Sequence, residues 1–459
     1  MMIRALKFTA VACCVCLAAG CATLPDTQFL NDRYTKQEAQ FQNARGQLSE
    51  QKSAAIIADL KRKSGNIDIL DKQIALEQQI VGSALVVGNK VTLLQDGPAT
   101  YQAMFDAIRN AKDNINVESY IIEDTKVGQQ FADLLLERQA NGVQVNMIYD
   151  SVGALHTSKA YFDKLTQAGV AVLEFNPINP LTAKKSWDPN HRDHRKLLVV
   201  DGRIAFLGGI NISDVYSSGS SLHRDDDDKK TGWRDTDIQI EGPVVAEFQK
   251  LFISHWTTQQ GKALVEKNYF PQLSTQGKEI VRAIGSTPDD TYSFIYLTLI
   301  SAITNAEKEV HITNAYFVPD PQLVKALIDS AKRGVDVRLI LPATSDSAAA
   351  FYAGRSHYEE LLKGGVKIYE RRGADLHVKT AVIDDVWVSV GSSNLDWRSA
   401  LDNDEINAVI LGHEFAQEME DAYAKDLAAS DQITLVGWQH RSLLERFREM
   451  ESRLIGHLL

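Results

Sequence analysis

Two stretches of this sequence carry the same residues at the same spacing: His194-Arg-Lys-Leu-Leu-Val-Val-Asp201 and His377-Val-Lys-Thr-Ala-Val-Ile-Asp384. In both, a glycine stands seven positions after the aspartate, and an asparagine follows three positions later, at Asn211 and Asn394. One H-x-K-x4-D match is weak evidence, because some chains of this length contain it by chance. Two copies that share the downstream glycine and asparagine indicate an internal duplication of a functional site.

The elements that flank the two motifs also repeat, in the order strand, helix, strand. Hydrophobic periodicity and glycine positions predict these elements at 115–122, 131–139 and 143–148, and again at 310–315, 322–331 and 335–341. Alternating strands and helices are typical of an α/β fold with helices on both faces of each sheet. We therefore predict two pseudo-symmetric α/β/α domains, at 87–265 and 266–459, preceded by a helical N-terminal arm at 22–86.

The residue types in each motif suit the chemistry of a phosphate diester. Histidine and lysine two positions apart point to the same face of a strand, and the apolar residues that follow bury that strand. Each half thus offers an imidazole, an ammonium and an amide, which bind or attack phosphate. In-line displacement at phosphorus needs a nucleophile on one side and a proton donor on the other. Two copies that face each other would supply both, which predicts an active site at the domain interface.

A histidine nucleophile also needs an acceptor on its second ring nitrogen. Asp235 follows the first motif, and Asp404 and Glu405 follow the second, so these carboxylates are candidates to orient the histidines. Asp201 and Asp384 are further candidates, but each stands seven residues after its histidine at the end of a strand. That position favours a structural role for them.

The paired motifs resemble those of the phospholipase D superfamily over roughly residues 87–459. Within it, the segments at 193–212, 233–237, 241–243 and 394–407 are most similar to bacterial cardiolipin synthases. Two features depart from that pattern. A lipoprotein-like signal stands in place of the two N-terminal transmembrane helices of many such synthases. Gly209 occupies a position where the superfamily often has serine.

The resemblance implies a role for each motif residue. One histidine forms a phosphohistidine intermediate and the other protonates the leaving alcohol. We assign the first role to His194 and the second to His377, although a symmetric site does not by itself show which histidine has which role. The implied site consists of a catalytic set (His194, Lys196, Asp201, His377, Lys379 and Asp384), a substrate-binding set (Asn211, Asn394 and Ser392) and an orienting pair (Asp235 and Glu405). The lysines and asparagines would hold the phosphoryl oxygens. The resemblance implies neither a metal nor another cofactor.

The predicted function is a phosphatidyl transfer that forms cardiolipin and glycerol from two molecules of phosphatidylglycerol at a membrane surface. Hydrolysis to phosphatidic acid is an alternative, because it passes through the same intermediate. A nucleic-acid phosphodiesterase is less favoured, since the 459 residues carry a net charge of −11 and nucleic acid is not an expected partner. A non-catalytic lipid-binding or scaffold protein is disfavoured by the two intact motifs.

The N-terminus predicts export and lipidation. Arg4 and Lys7 precede an apolar run, and Leu17-Ala-Ala-Gly20 precedes Cys21 in the manner of a lipoprotein cleavage box. We predict a signal peptide at 1–21 and a lipoprotein anchored in the bacterial cell envelope, facing the periplasm. Ala22 favours the outer membrane. A plain secretory signal or an uncleaved anchor remains an alternative.

The C-terminal stretch, 442–459, is strongly amphipathic. Its apolar residues share one helical face, which arginines flank (Leu443, Leu444, Phe447, Met450, Leu454, Ile455 and Leu458; Arg441, Arg446, Arg448 and Arg453). Docking of that face on the protein core is the favoured interpretation. Contact with a bilayer surface is the alternative.

Overall fold

The computed structural model describes residues 39–64, 70, 72–178, 188–220, 232–290 and 293–459. The predicted signal peptide and Cys21 lie outside these residues. The described strands are β1 (Phe41–Asn43), β2 (Gly46–Gln47), β3 (Leu85–Gln95), β4 (Asn114–Ser119), β5 (Gln144–Asp150), β6 (Ala171–Phe175), β7 (Arg192–Asp193), β8 (Lys196–Val200), β9 (Ile204–Gly208), β10 (Thr236–Glu241), β11 (Glu279–Ser286), β12 (Glu309–Asn314), β13 (Asp336–Pro342), β14 (Lys367–Arg371), β15 (Lys379–Ile383), β16 (Trp387–Gly391), β17 (Asn403–Leu411) and β18 (Ser430–Ile433). The described α-helices are α1 (Glu50–Ser64), α2 (Lys72–Val81), α3 (Asp96–Asn110), α4 (Lys126–Ala140), α5 (Lys159–Gln167), α6 (Val245–Thr258), α7 (Phe294–Asn305), α8 (Pro321–Lys332), α9 (Ala348–Arg355), α10 (Tyr358–Lys363), α11 (Trp397–Leu401), α12 (His413–Ala428), α13 (Leu435–Gln439) and α14 (Leu443–Leu454).

The two halves contain sheets of the same strand order. The first sheet runs β3-β10-β9-β8-β4-β5-β6, and the second runs β11-β17-β16-β15-β12-β13-β14 and continues to β18. The strands from β3 to β4 and from β11 to β12 are antiparallel to one another in each sheet, whereas β4-β5-β6 and β12-β13-β14 are parallel. The additional strand β18 is antiparallel to β14. The prediction of an α/β fold with two pseudo-symmetric halves is confirmed.

Strand β3 joins the two sheets. Its first part pairs with β11, where Val86 lies opposite Val281, and its second part pairs with β10, where Val91 lies opposite Ile240. Apolar side chains from both halves then share one core between them. This core contains Leu207, Phe248, Val390, Ile406 and Phe415, among others. Because burial of apolar surface is the dominant favourable term in folding, the shared core holds the halves in a fixed relation.

Helices cover both faces of each sheet, as expected for this architecture. In the first half α3, α4 and α5 pack on the outer face, with Phe105 and Phe131 in the outer core, while α6 lies on the inner face. The second half repeats the pattern, with α7, α8 and α10 outside and α12 inside. The inner helices α6 and α12 therefore both contribute to the core that the two halves share.

The segment predicted as an N-terminal helical arm contains α1 and α2 and also a small hairpin, β1-β2. Its described residues pack against the second half, where Phe41, Leu60 and Ile74 enter the core beside Leu297. The Nε2 of Gln73 donates to the carbonyl of Thr298 at 2.9 Å. The described part of this segment is therefore a packed layer on the second half.

The C-terminal helix α14 corrects the favoured interpretation of its sequence. Its apolar residues face solvent, with Leu443 82% and Leu454 73% exposed, whereas Glu449 on the opposite side is buried. Docking of the apolar face on the core was therefore the wrong interpretation. Among the described residues, no helix has the length and apolar character needed to cross a bilayer.

Candidate active site

The two histidine motifs meet in one pocket between the halves. His194 precedes Lys196, the first residue of β8, by two positions. His377 likewise precedes Lys379, the first residue of β15, by two positions. Both histidines line a pocket of about 410 Å³ whose wall contains residues of both halves. The structure thus brings together the two histidines that the sequence placed 183 positions apart.

Each histidine is held by a carboxylate from the other half. The Nδ1 of His194 lies 2.9 Å from Oε1 of Glu405, and the Nδ1 of His377 lies 2.7 Å from Oδ2 of Asp235. Both carboxylates are completely buried. Because a carboxylate accepts the Nδ1 proton, the other ring nitrogen, Nε2, is left to act on a substrate. The sequence named these two carboxylates but did not show that the pairs cross between the halves.

Backbone hydrogen bonds also join the two halves beside each histidine. Strand β7, just before His194, pairs in parallel with the start of β17, and the amide of His194 donates to the carbonyl of Asp404 at 2.9 Å. On the other side, Arg234 forms a parallel bridge with Leu376, and the amide of His377 donates to the carbonyl of Arg234 at 2.8 Å. Each histidine segment is therefore hydrogen-bonded to the segment that carries its carboxylate.

Burial sets the charge state of the site. It lowers the pKa of His194 and of His377 to about 4, and the neighbouring lysines add to this effect. Burial opposes ionisation of Glu405, but His194 and Lys196 outweigh it and lower the pKa of this carboxyl. A neutral imidazole therefore stands beside an ionised carboxylate at neutral pH. That is the protonation state a histidine nucleophile requires.

The two lysines are buried cations with spare donors. Burial lowers the pKa of Lys196 to about 7 and that of Lys379 to about 8. Among the described residues, each ammonium donates to the carbonyl of its own motif histidine, Lys196 to His194 and Lys379 to His377, both at 2.6 Å. An ammonium has three protons, so further donors remain for an anion in the site. The arrangement favours binding of a phosphoryl group.

The two motif asparagines line the pocket but have different environments. The Oδ1 of Asn211 accepts from the amide of Ile121 at 3.0 Å, and its Nδ2 donates to the hydroxyl of Tyr216 at 3.1 Å. The buried Oδ1 of Asn394 has no hydrogen-bond partner among the described residues. Asn394 therefore has the freer amide of the two for a ligand.

Ser392 does not line the pocket, and its assignment to substrate binding is corrected. Its hydroxyl is buried and donates to Oε2 of Glu405, and it accepts from the amide of Ile406 at 3.0 Å. Ser392 thus holds the orienting carboxylate. At the matching position of the first half, Gly209, a Cβ atom would collide with the carboxylate of Asp235. This collision explains the glycine, because the carboxylate group of Asp235 lies where a serine side chain would begin.

Asp201 and Asp384 lie at the far ends of β8 and β15 from the lysines, and neither lines the pocket. Asp201 accepts from three successive amides at 112–114, and Asp384 accepts from three at 307–309. Both adopt positive φ angles, 53° and 54°. Their grouping with the catalytic residues is therefore corrected: they fix the start of the neighbouring strands β4 and β12, which is the structural role that their spacing favoured.

Sequence analysis missed a pair of tyrosines at equivalent positions in the two halves. The ring of Tyr120 lies 5.1 Å from the ring of His194, and that of Tyr316 lies 6.1 Å from His377. The ammonium groups of Lys196 and Lys379 lie 5.3 Å and 5.9 Å from the same rings. Their separation of 196 residues is close to the separation of the repeated strands at 115–122 and 310–315, and this correspondence is the signal that could have identified them. The pocket is also lined by Trp233, whose ring centroid lies 5.1 Å from that of His377. Two guanidinium groups, of Arg192 and Arg398, line it as well.

Two groups among the described residues have a geometry that could hold a cation, and both lie outside this pocket. They are Glu118 with Asp193 and His255, and Glu309 with His311 and Glu420. The first group already contains positive charge. Although burial opposes it, Glu118 and Asp404 raise the pKa of His255 to about 10.

Comparison with known proteins agrees with this geometry. A family model described as "Cardiolipin synthase, PLD-like domain" matches residues 104–256 and 299–427. The chain is 33% identical over 427 residues to a cardiolipin synthase of Alkalihalophilus pseudofirmus, covering 92% of this chain and 81% of that protein. The chain belongs to the cardiolipin synthase family of phospholipase D-like proteins. The resemblance that the paired motifs indicate is confirmed.

Further relatives extend the comparison for this cardiolipin synthase family member. Cardiolipin synthase 2 of Bacillus anthracis is 34% identical over 370 residues, which are 80% of this chain and 70% of that protein. A phosphatidylserine synthase of Haemophilus influenzae has a similar fold, with a TM-score of 0.64, 14% identity and coverage of 83% of this chain and 99% of that chain. The polyphosphate kinase of Porphyromonas gingivalis shares the fold at a TM-score of 0.51, with 10% identity over 80% of this chain and 53% of that chain.

Replacement of Lys196 by methionine should stabilise the fold and abolish turnover. Methionine is similar in length to lysine but carries no charge, so the substitution removes a buried cation without leaving a large cavity. We therefore expect the free energy of unfolding at pH 7 to rise by about 1–3 kcal/mol. The gain should shrink as the pH rises toward 10.5, because the fold favours the neutral amine and the wild-type penalty then disappears. Urea denaturation at several pH values measures the gain in stability and its pH dependence, and an assay of lipid turnover measures the loss of activity. Lys90→Met, at an exposed lysine, is the matched control, and a destabilised Lys196→Met would contradict the argument.

Replacement of Asp201 by alanine should lower stability while leaving the pocket intact. Three backbone amides lose their acceptor and alanine resists the positive φ, so we expect a loss of about 2–4 kcal/mol in the free energy of unfolding. Asp201→Asn keeps one acceptor oxygen and tolerates this φ, so its loss should be smaller. Unfolding curves and kcat for both variants test this. A large fall in kcat in a folded Asp201→Asn protein would return this residue to the catalytic set.

Proposed function

We propose that this protein is a phosphatidyltransferase that forms cardiolipin and glycerol from two molecules of phosphatidylglycerol. The observation that carries the proposal is the pair of crossed histidine–carboxylate contacts in one pocket. Such a pocket provides a nucleophile and a proton donor together, as in-line displacement at phosphorus requires. Family membership supports a phospholipid substrate, since the relatives are themselves named cardiolipin synthases.

In the first step, Nε2 of His194 attacks the phosphorus of phosphatidylglycerol. The bond from phosphorus to the glycerol oxygen breaks, and a protonated His377 gives its Nε2 proton to that oxygen, so glycerol leaves. The phosphatidyl group is then bound to His194. Glu405 stabilises the positive charge that develops on this ring, while Lys196 and Lys379 neutralise the phosphoryl oxygens. The bound diester anion also favours the protonated form of His377, whose pKa burial lowers in the free site.

In the second step, the terminal hydroxyl of another phosphatidylglycerol gives its proton to His377 and attacks the same phosphorus. The bond between His194 and phosphorus breaks, and cardiolipin is released. His377 is then protonated again and ready for the next cycle, so atoms and charges balance over the two steps.

The surroundings of the two carboxylates support His194 as the nucleophile. Glu405 accepts hydrogen bonds from Ser392 and, at 2.8 Å, from Ser399, in addition to its contact with His194. These donors hold the carboxylate ionised and in place, which stabilises an imidazolium in the intermediate. Asp235 accepts instead from the backbone amide of Thr236 at 2.8 Å, and the hydroxyl of Tyr216 lies 3.3 Å from Nδ1 of His377.

The apolar part of the pocket wall favours transfer over hydrolysis. It includes Tyr120, Val152, Trp233, Tyr316 and Leu459, in a wall that also contains charged and polar side chains (Arg192, Asp346, Ser347, Asp396, Arg398 and Asn403). The apolar side chains offer a surface for an acyl-bearing acceptor and cover part of the pocket against water. Phosphatidic acid would be the product if water were the second substrate.

Product analysis with the full chain and phosphatidylglycerol vesicles tests the proposal. We expect cardiolipin and glycerol from the wild type, and a loss of at least about 1,000-fold in His194→Ala and in His377→Ala, because each removes a group that acts in both steps. His156→Ala, at an exposed histidine outside the pocket, should retain activity. Phosphatidic acid alone would establish a hydrolase, and no lipid turnover would contradict both activities.

The roles of the histidines can be separated with a phosphatidyl ester of p-nitrophenol. This leaving group needs no proton, so His377→Ala should still form a covalent adduct at residue 194, whereas His194→Ala should form none. Mass spectrometry of peptides after an acid-free quench locates the adduct. An adduct on His377 would reverse the assignment.

A lipid anchor at Cys21 would place the enzyme on the periplasmic side of the envelope, with the outer membrane as the proposed site. The support is the sequence that precedes this cysteine and the alanine that follows it. Metabolic labelling with palmitate should mark the wild type and not Cys21→Ala. A labelled Cys21→Ala protein would contradict the assignment.

A further inference from the structure

Helix α14 is attached to the protein by its polar side. Its inward face consists of Glu445, Glu449, Ser452 and, just beyond the helix, Gly456, and Glu449 and Gly456 are buried. The outward face consists of large apolar side chains that are 57–82% exposed (Leu443, Leu444, Phe447, Met450 and Leu454). This orientation is the reverse of that of an ordinary surface helix, whose apolar stripe faces the core.

Buried ion pairs fix this orientation. The carboxylate of Glu449 accepts from Nε of Arg441 at 2.9 Å and lies 3.9 Å from Nε of Arg355. Both guanidinium groups also pack on the ring of Trp438, at 4.5 Å and 4.8 Å from its centroid. If the helix rolled to hide its apolar face, these partly buried charges would lose their partners, which is unfavourable because an unpaired charge would remain away from water. The apolar face is therefore held outward in the free protein.

Basic side chains flank the exposed apolar face. Arg446, Arg448 and Arg453 are exposed, and Glu451 is the single acidic side chain on the outer side of the helix. The face is thus locally positive in a chain whose net charge is −11. An apolar stripe bordered by arginines is typical of a helix that lies in the interface of an anionic bilayer.

The exposed face leads to the mouth of the active site. The chain passes from α14 through a short turn at Gly456–Leu458 to Leu459, which lines the catalytic pocket and accepts a hydrogen bond from the amide of Arg398 at 3.3 Å. The first half contributes Val152 to the same pocket, and Val152 and Leu155 are 39% and 60% exposed. Exposed apolar side chains from both halves therefore adjoin the site.

We propose that the outward face of α14 is a docking surface for a bilayer that contains anionic phospholipid, and that docking places the pocket mouth at the lipid headgroups. The proposal rests on the proposed function and adds the surface through which the substrate membrane is engaged. The continuity of the apolar face with the pocket is what favours a bilayer over a second copy of this chain. A lipid in the docked membrane could then bring its phosphodiester to the histidines without leaving the bilayer.

A matched pair of double variants tests the proposal. Leu444→Ser/Phe447→Ser changes two residues that are 59% and 57% exposed, and Val265→Ser/Phe270→Ser changes two that are 54% and 48% exposed. The control pair flanks Tyr269, whose carbonyl adjoins Gly202 at the end of β8 away from the pocket. Both pairs are made in the full chain with Cys21→Ala, so that a lipid at this position does not contribute. Thermal unfolding verifies that both proteins are folded.

The first measurement is sedimentation with vesicles of equal parts phosphatidylglycerol and phosphatidylcholine. We expect the α14 variant to lose at least about fivefold in vesicle affinity, because two apolar side chains no longer enter the bilayer. The control should bind as its parent does. A charge-reversal variant, Arg446→Glu/Arg453→Glu, should lose binding to these vesicles as well and leaves the apolar residues in place.

The second measurement is the ratio of activity on vesicles to activity on a short-chain, monomeric phosphatidylglycerol. We expect this ratio to fall for the α14 variant by a factor similar to the loss of affinity. Equal vesicle affinity of the α14 variant and its control would overturn the proposal. A change from dimer to monomer in sedimentation velocity, with vesicle binding unchanged, would also overturn it in favour of a self-interface. If the wild type bound vesicles through α14 but turned over no lipid, the proposed function would fail and the docking surface would stand.

Discussion

The exchange of a histidine and a carboxylate between the halves is the interaction on which the site depends. Glu405 reaches His194 and Asp235 reaches His377, across sequence separations of 211 and 142 residues. Neither half alone contains a motif histidine together with the carboxylate that contacts it. The assembled pair therefore places two imidazoles in one pocket, each oriented by a buried carboxylate, which is the arrangement that the proposed mechanism requires.

Several features of the fold serve this exchange. The shared core and strand β3 hold the halves together, and short parallel pairings join each histidine segment to its carboxylate segment. The two sides are not identical. The longer Glu405 is held by Ser392, while the shorter Asp235 is approached by the backbone at Gly209, where a side chain would collide with it. Approximate symmetry thus leaves room for two different roles.

The site is built at a cost to stability. Burial lowers the pKa of both lysines, which means that their charged forms are less favourable in the fold than in water. Apolar burial elsewhere in the fold offsets this cost in stability. A bound phosphate diester would supply negative charge beside the lysines and so favour their charged forms. The outward-facing apolar side of α14 is a second unfavourable feature in water, and a bilayer would remove its contact with solvent.

The sequence by itself determined the duplicated α/β fold, the two motifs, and the residue types that would face each other. These follow from local patterns, because strand and helix periodicity and motif spacing depend on residues close together in the chain. Only the tertiary structure decided which carboxylate holds which histidine, that Ser392 supports Glu405, and that Tyr120 and Tyr316 join the pocket. It also decided that α14 faces outward, where its apolar pattern favoured the opposite, because buried ion pairs with Arg355 and Arg441 outweigh that pattern. Contacts between residues far apart in the chain settle such questions, and periodicity along one element does not contain them.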